Sequence, residues 1–201
     1  MSNRNVRYRP DLAAILFAVL GASGLAGCVG AVVGAGAAVG VAAYEDRGVE
    51  GAARDLRTSA QITEQWLNFD HTMPVKLSVE VYEGRALLTG AIKDPQMQAD
   101  AVRLAWKAEG VQDIINEIQI VPNADLIDTA KDSWITTQLS SKTTFDKQIL
   151  AVNYAIETVN GVIYLIGVAQ NQAELDRVMA YARAIPNVTR IVSHVRIKQA
   201  A

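Results

Sequence analysis

The chain has one cysteine, Cys28, and two histidines, His71 and His194, among its 201 residues. One cysteine excludes a disulfide within the chain. The two histidines share no spacing with each other or with acidic residues that resembles a metal site. Catalytic patterns are missing as well. Ser140-Ser141 has no glycine elbow beside it, so a serine nucleophile is unsupported. Gly30, Gly34, Gly36 and Gly40 lie in an apolar run without the Lys-Ser/Thr ending that a phosphate-cradling loop requires. No cofactor is expected, and the chain does not read as an enzyme. Excess positive charge is also lacking. Three arginines and one aspartate lie in the first 27 residues, which leaves 16 basic against 20 acidic residues in the remainder. A nucleic-acid binder would carry a basic excess or a high pI, so nucleic acid is not an expected partner.

What is present begins at the N-terminus. Arg4, Arg7 and Arg9 precede a short apolar stretch, Leu12 to Leu20, and small residues follow it. This is the pattern of a secretory signal. Leu25-Ala26-Gly27-Cys28 resembles the lipobox of bacterial lipoproteins. The resemblance implies removal of residues 1–27, a diacylglyceryl thioether on the Cys28 sulfur and acylation of its new amino group. Val29 to Ala43 carries no charge and holds two GxxxG spacings. As a helix it would reach about 22 Å at 1.5 Å per residue, short of a roughly 30 Å hydrocarbon core. It reads as a flexible or interfacial segment beside the anchor. The rival is a single span from Leu12 through Ala43. Tyr44 to Arg57 is charged, holds two glycines and reads as a tether, so residues 28–57 form one anchoring region.

About 145 residues then remain, enough for one ordinary domain or two small ones. They repeat. A shift of 77 places Glu80 on Glu157, Gly84 on Gly161, Gly90 on Gly167, Val111 on Val188 and Ile120 on Ile197. The first helices match best at a shift of 73, with Ile62 on Ile135 and Trp66 on Leu139, which predicts about four extra residues before the second copy's first strand. Two units follow, residues 58–122 and 129–198. Each reads as helix, strand, strand, helix, strand. Thr58 to Leu67 and Thr129 to Lys142 are the first helices. Val75, Leu77, Val79 and Val81 alternate as a strand. Glu83-Gly84 and Asn160-Gly161 are hairpin turns. Asp94-Pro95 and Asn171 cap the second helices, where Ala101, Val102, Ala105 and Ala108 match Val178, Met179, Ala182 and Ile185. The last strand of the first copy runs through Ile114, Asn116, Ile118 and Ile120. The fold class is α+β: two tandem α-β-β-α-β sandwiches, each a three-stranded mixed sheet covered by two helices.

The α-β-β-α-β unit with Gly84, Gly90 and Val111, and again Gly161, Gly167 and Val188, resembles the BON domain. Two such units behind a lipobox resemble the dual-BON outer-membrane lipoproteins of the DolP group. Asp132-Ser133-Trp134-Ile135-Thr136-Thr137 is similar to that group's opening of the second domain. Asn160-Gly161 through Tyr164-Leu165-Ile166-Gly167 is similar to its hairpin, and Asp46-Arg47 with Gly51 to its tether. The resemblance implies a non-enzymatic, lipid-anchored protein of the outer membrane that faces the periplasm and supports envelope integrity. It also implies that the second BON domain binds anionic phospholipid. Val29, where an aspartate would hold such a protein at the inner membrane, fits outer-membrane sorting.

Lys131, Trp134, Gln138 and Lys142 fall at i, i+3, i+7 and i+11, one face of the first helix of the second unit. A tryptophan between two lysines suits a headgroup surface, so these four are the expected phospholipid contacts. The copy-one residue matched with Trp134 is Gln61, so the fold does not demand an aromatic there. Trp66 reads as core. Trp106 matches Arg183, outside the core stripe, and suits a domain–domain contact, a partner surface or solvent. The alternative function is an envelope adaptor in which Trp134 and Trp106 dock onto a protein and lipid is met by the anchor alone.

Overall fold

The computed structural model describes residues 45–124 and 128–199. The signal, Cys28 and Val29 to Ala43 lie outside them. The first unit runs α1 (Gly48–Phe69), α2 (Met73–Lys76), β1 (Leu77–Tyr82), β2 (Arg85–Ile92), α3 (Pro95–Ala105), β3 (Asp113–Asn116) and β4 (Gln119–Ile120). The second runs α4 (Thr129–Phe145), a 3-10 turn at Ala151–Asn153, β5 (Tyr154–Val159), β6 (Val162–Ala169), α5 (Gln172–Arg183) and β7 (Arg190–Ile197).

In each unit the first two strands form an antiparallel hairpin and the last strand returns parallel to the middle one. The turns are tight because both central residues are left-handed, Glu83 and Gly84 at φ 52° and 73°, Asn160 and Gly161 at 53° and 72°. That is the geometry of a two-residue primed turn. The last strand of the first unit is broken: β3 and β4 both pair with β2, and between them Ile118 turns into the core at 5 % exposure. Gly90 and Gly167 let the chain cross itself, since a Cβ there would lie 2.3 Å from the Lys76 carbonyl oxygen and 1.9 Å from that of Asn153.

Helices cover one face of each sheet. Ile62, Trp66, Leu77, Leu88 and Ala105 center one core; Ile135, Leu139, Ile163, Leu165 and Ala182 center the other. The opposite sheet faces pack on each other, Tyr82 and Leu87 against Val159, Val162, Tyr164, Ile166 and Val168. Across this seam the Gln119 amide donates to the Val159 carbonyl and the Tyr164 hydroxyl, both at 3.1 Å. Arg85 donates to the His194 carbonyl at 2.9 Å, and His194 Nε2 lies 2.9 Å from Glu117 Oε1.

Three expectations give way. First, α1 begins at Gly48, ten residues before Thr58, so most of the expected tether is helix. Asp55 explains why: its carboxylate accepts from the Glu83 and Gly84 amides at 2.8 and 3.0 Å, fastening that stretch to the hairpin. Arg47 bonds Asp55 at 2.7 Å and the Val81 carbonyl at 3.0 Å, and its guanidinium sits 4.5 Å from the Tyr82 ring center. Asp46 reaches the other unit. Asn153 donates to it at 2.7 Å, Lys198 bonds it at 2.6 Å, and Gln170 also donates to it.

Second, the helices pair at a shift of 77, not 73. Asp132 accepts from the Asn160 and Gly161 amides at 2.6 and 2.8 Å, as Asp55 does 77 residues earlier. The buried rows are Asp55, Thr58, Ile62, Trp66 in α1 and Asp132, Ile135, Leu139, Thr143 in α4. No insertion separates the copies, and Trp134 stands opposite Arg57, not Gln61. Third, Val75 is not in a strand. Pro74 sits in the first turn of the short helix α2, and Val75 is 84 % exposed there.

Candidate functional site

Asp128 caps α4: its side chain accepts from the Lys131 amide at 3.0 Å, a regular N-cap. The core takes Asp132, Ile135, Leu139 and Thr143. This fixes the rotation of the helix and therefore what it shows outside. Trp134 is 44 % exposed, Lys131 and Lys142 are exposed and Gln138 is half-buried. The structure thus brings all four expected contacts to one side of α4. The Lys142 ammonium lies 6.0 Å from the center of the Tyr181 ring, which leans it across α5.

Phe145 completes this face and was not foreseen. It is 83 % exposed and eleven residues beyond Trp134, so at 100° per residue it lies only about 20° around the helix and about 16 Å along it. The same i, i+11 spacing that links Lys131 with Lys142 marks it in the sequence.

The repeat shows why Gln138 is available. Its counterpart Gln61 accepts from the Glu109 amide at 2.8 Å. The residue equivalent to Glu109 is Pro186, which has no amide hydrogen, so Gln138 has no such partner to hold. The counterpart of Trp134, Arg57, is exposed, so no packing need puts an aromatic there.

Other expected positions resolve plainly. Trp66 is core at 1 % exposure and donates its indole N–H to the Ala101 carbonyl at 3.0 Å. Trp106 is 52 % exposed and has no place in the seam between the sheets. His71 is exposed in a turn, and His194 lies in β7 beside Glu117. Among the described residues no group of three His, Cys, Asp or Glu could hold a metal, and no helix is long and apolar enough to cross a membrane. Two repeat-equivalent carboxylates, Glu80 and Glu157, stand on the strand faces turned toward the seam. Burial, then the nearby Glu80 and Asp132 charges, pushes the Glu157 carboxyl up to about 7.

Comparison with known proteins agrees with this architecture. The BON domain matches residues 55–122 and 131–199. The outer membrane lipoprotein DolP of Haemophilus influenzae is 32 % identical over 160 residues, 74 % of this chain and 78 % of that protein. A protein of Anaplasma centrale, named for its place in the gshII 5′ region, is 37 % identical over 131 residues, 65 % of this chain and 87 % of that one. The 21 kDa hemolysin of Actinobacillus pleuropneumoniae is 29 % identical over 150 residues, covering 75 % and 72 %. With both matches falling on the two observed sandwiches, this chain belongs to the BON domain family, as a dual-BON protein of the DolP type.

Proposed function

We propose that this protein is an outer-membrane lipoprotein, anchored through Cys28 and facing the periplasm, whose second BON domain meets anionic phospholipid and supports envelope integrity. The observation that carries the reading is the outer face of α4: an exposed Trp134 between two exposed lysines, at a position where the first domain keeps an arginine. Phe145 extends the apolar stripe to the end of the helix. Indole and phenyl rings suit the headgroup level of a bilayer, and each lysine near an anionic surface is worth on the order of 1 kcal/mol. Such a contact is weak alone. Beside a lipid anchor it becomes intramolecular and orients the domain. The lipobox supports the lipoprotein character, as does the similarity to a relative whose name carries it.

The test is flotation of residues 45–201, which keep the Asp46 contacts, with liposomes that contain or lack phosphatidylglycerol. The wild type is expected to float only with the anionic lipid, less in high salt, and Trp134→Ala to stay at the bottom. Failure of the wild type to float removes α4 as a lipid contact. The exposed Trp106 then favours the second reading, an adaptor for an envelope protein, whose capture should be lost on Trp106→Ala.

A further inference from the structure

The second sheet keeps one long open edge. β7 runs unbroken over eight residues, Arg190–Ile197, and pairs only with β6. In a parallel ladder, alternate residues of an outer strand turn their N–H and C=O away from the neighbor. The Lys198 amide reaches the Ala169 carbonyl at 2.8 Å, so the even-numbered residues face β6. The Val195 amide turns instead to the Ser193 hydroxyl, 3.4 Å away. By alternation Ile191, Ser193, Val195 and Ile197 present their backbone groups outward.

The first domain supplies the control. Its equivalent edge is broken: β3 ends at Asn116, Ile118 turns into the core and β4 holds two residues. On β1, the opposite edge of that sheet, the Val79 and Val81 carbonyls are covered by the Ser59 hydroxyl at 3.4 Å and by Arg47 at 3.0 Å. Open edges invite pairing, and bulges or covers blunt them; β7 has neither. What it carries is charge of one sign. Ile191 and Val195 pack on the second core, while Val192 and His194 turn to the seam side. Arg190 and Arg196 follow those two by alternation. Both arginines are exposed, and β7 contains no acidic residue. Neither guanidinium has a hydrogen-bond or ion-pair partner among the described residues. Glu117 is taken by His194 and Asp113 by Arg85. At the shift of 77 the two arginines correspond to Asp113 and Gln119, so the BON fold does not need cations there.

We propose that the β7 edge docks an extended acidic segment of a partner protein, which joins the second sheet as a fourth strand. Its backbone completes the outward groups from Ile191 to Ile197, the mode of strand addition to an open sheet edge. Carboxylates on one of its faces meet Arg190 and Arg196, six residues and so about 20 Å apart. Apolar side chains on its other face lie beside Ile191, Val195 and the partly exposed Ile197. A second copy of this chain does not suit the edge. Two β7 strands paired antiparallel about Ser193 set each Arg190 opposite the other's Arg196, and like charges directly opposite repel. The same two cations therefore bar self-pairing and select acid. The site is separate from the α4 face and does not depend on the reading of that face.

The experiment is fluorescence anisotropy of labelled octapeptides titrated with the full chain in non-ionic detergent. The probe alternates valine with polar residues and carries glutamate at its first and seventh positions and threonine between. One peptide per chain is expected to bind, more weakly in high salt, and amide exchange across Arg190–Ile197 should slow in its presence. A peptide with lysine for glutamate should bind about tenfold more weakly or worse. So should the glutamate peptide with its pairing-edge amides N-methylated, which keeps the charge and removes the ladder. Arg190→Glu/Arg196→Glu, changed only at exposed side chains, should reverse the preference between the two charged peptides, with circular dichroism to verify its fold. Trp134→Ala should change nothing. An N-methylated peptide that binds as well as its parent would reduce the edge to a charged patch and overturn the assignment. Failure of the acidic peptide to bind the wild type, or binding indifferent to the double charge reversal, would overturn it too.

Discussion

Removing the Asp132 carboxylate tests how the second domain is fastened together. Asp132 is 6 % exposed, and its two oxygens take the Asn160 and Gly161 amides at 2.6 and 2.8 Å. Hydrogen bonds to a charged group are worth about 1.5–3 kcal/mol each. Asn160 is exposed, so water can replace most of its bond after truncation, whereas the buried Gly161 amide loses its partner outright. Asp132→Ala should therefore cost about 3 kcal/mol, a drop of roughly 6–12 °C in melting temperature for a body of this size. Asp132→Asn keeps the shape and one acceptor oxygen, but turns an NH₂ toward the second amide; about half that loss is expected. Urea titration followed by circular dichroism reads both, with the m-value as a check that the same surface unfolds. A loss below about 1 kcal/mol for Asp132→Ala at unchanged m would show that the hairpin holds itself and that core packing alone seats α4.

Gly167→Ala should prevent folding of the second domain or cost more than about 3 kcal/mol, since its Cβ would lie 1.9 Å from the Asn153 carbonyl oxygen and the backbone stands at φ 145°; soluble yield and thermal melting report it. Glu157 binds its proton more tightly folded than unfolded, with its carboxyl at about 7 against 4.5. Its contribution is thus fully present below pH 4.5 and lost as pH rises through 7. Glu157→Gln should stabilise the protein by about 1–2 kcal/mol at pH 8 and little at pH 4, read from urea midpoints at both pH values. Asp46 behaves in the opposite sense: burial works to raise its carboxyl, but bonds from Lys198, Gln170 and Asn153 hold it below the ordinary value. Asp46→Ala should speed amide exchange in the Asn153 and Gln170 segments near neutral pH, and the difference from wild type should fade in strong acid. Cys28→Ser should abolish metabolic palmitate labelling of the full chain; persistent labelling would place the acyl group elsewhere.

Most of the fold was legible because it is written twice. Glycines, hairpin dipeptides and alternating strands coincide at one shift, and the second helices follow it. The first helices misled because apolar residues on a helix recur every three to four positions, so sliding by one turn matches hydrophobic to hydrophobic. Ile62 on Ile135 looked as good as Ile62 on Leu139. The deciding residues were polar, Asp55 and Asp132, and they share the hairpin's own shift; a buried carboxylate aimed at a turn has no hydrophobic signature. The same blindness turned residues 48–57 into a tether, since charge and glycine argue against a helix until Asp55 and Arg47 are given partners. On α4 the Lys131, Trp134, Gln138 and Lys142 face was readable from spacing alone, while Phe145 lay just past the expected helix end.

The seam between the two sheets carries one more consequence. It joins equivalent places in the two copies: Glu117 meets His194 exactly one repeat away, and Tyr82, Leu87 and Ile115 share it with their own equivalents, Val159, Tyr164 and Val192. This is the geometry of a two-fold homodimer carried within a single polypeptide. In a true homodimer every substitution appears on both halves at once. Here each half mutates alone, so the buried contact can keep its symmetry while the outsides part company. Such a molecule can change one outer surface without touching the other, and Arg57 against Trp134, or Gln61 and Glu109 against Gln138 and Pro186, show how far the two outsides have diverged.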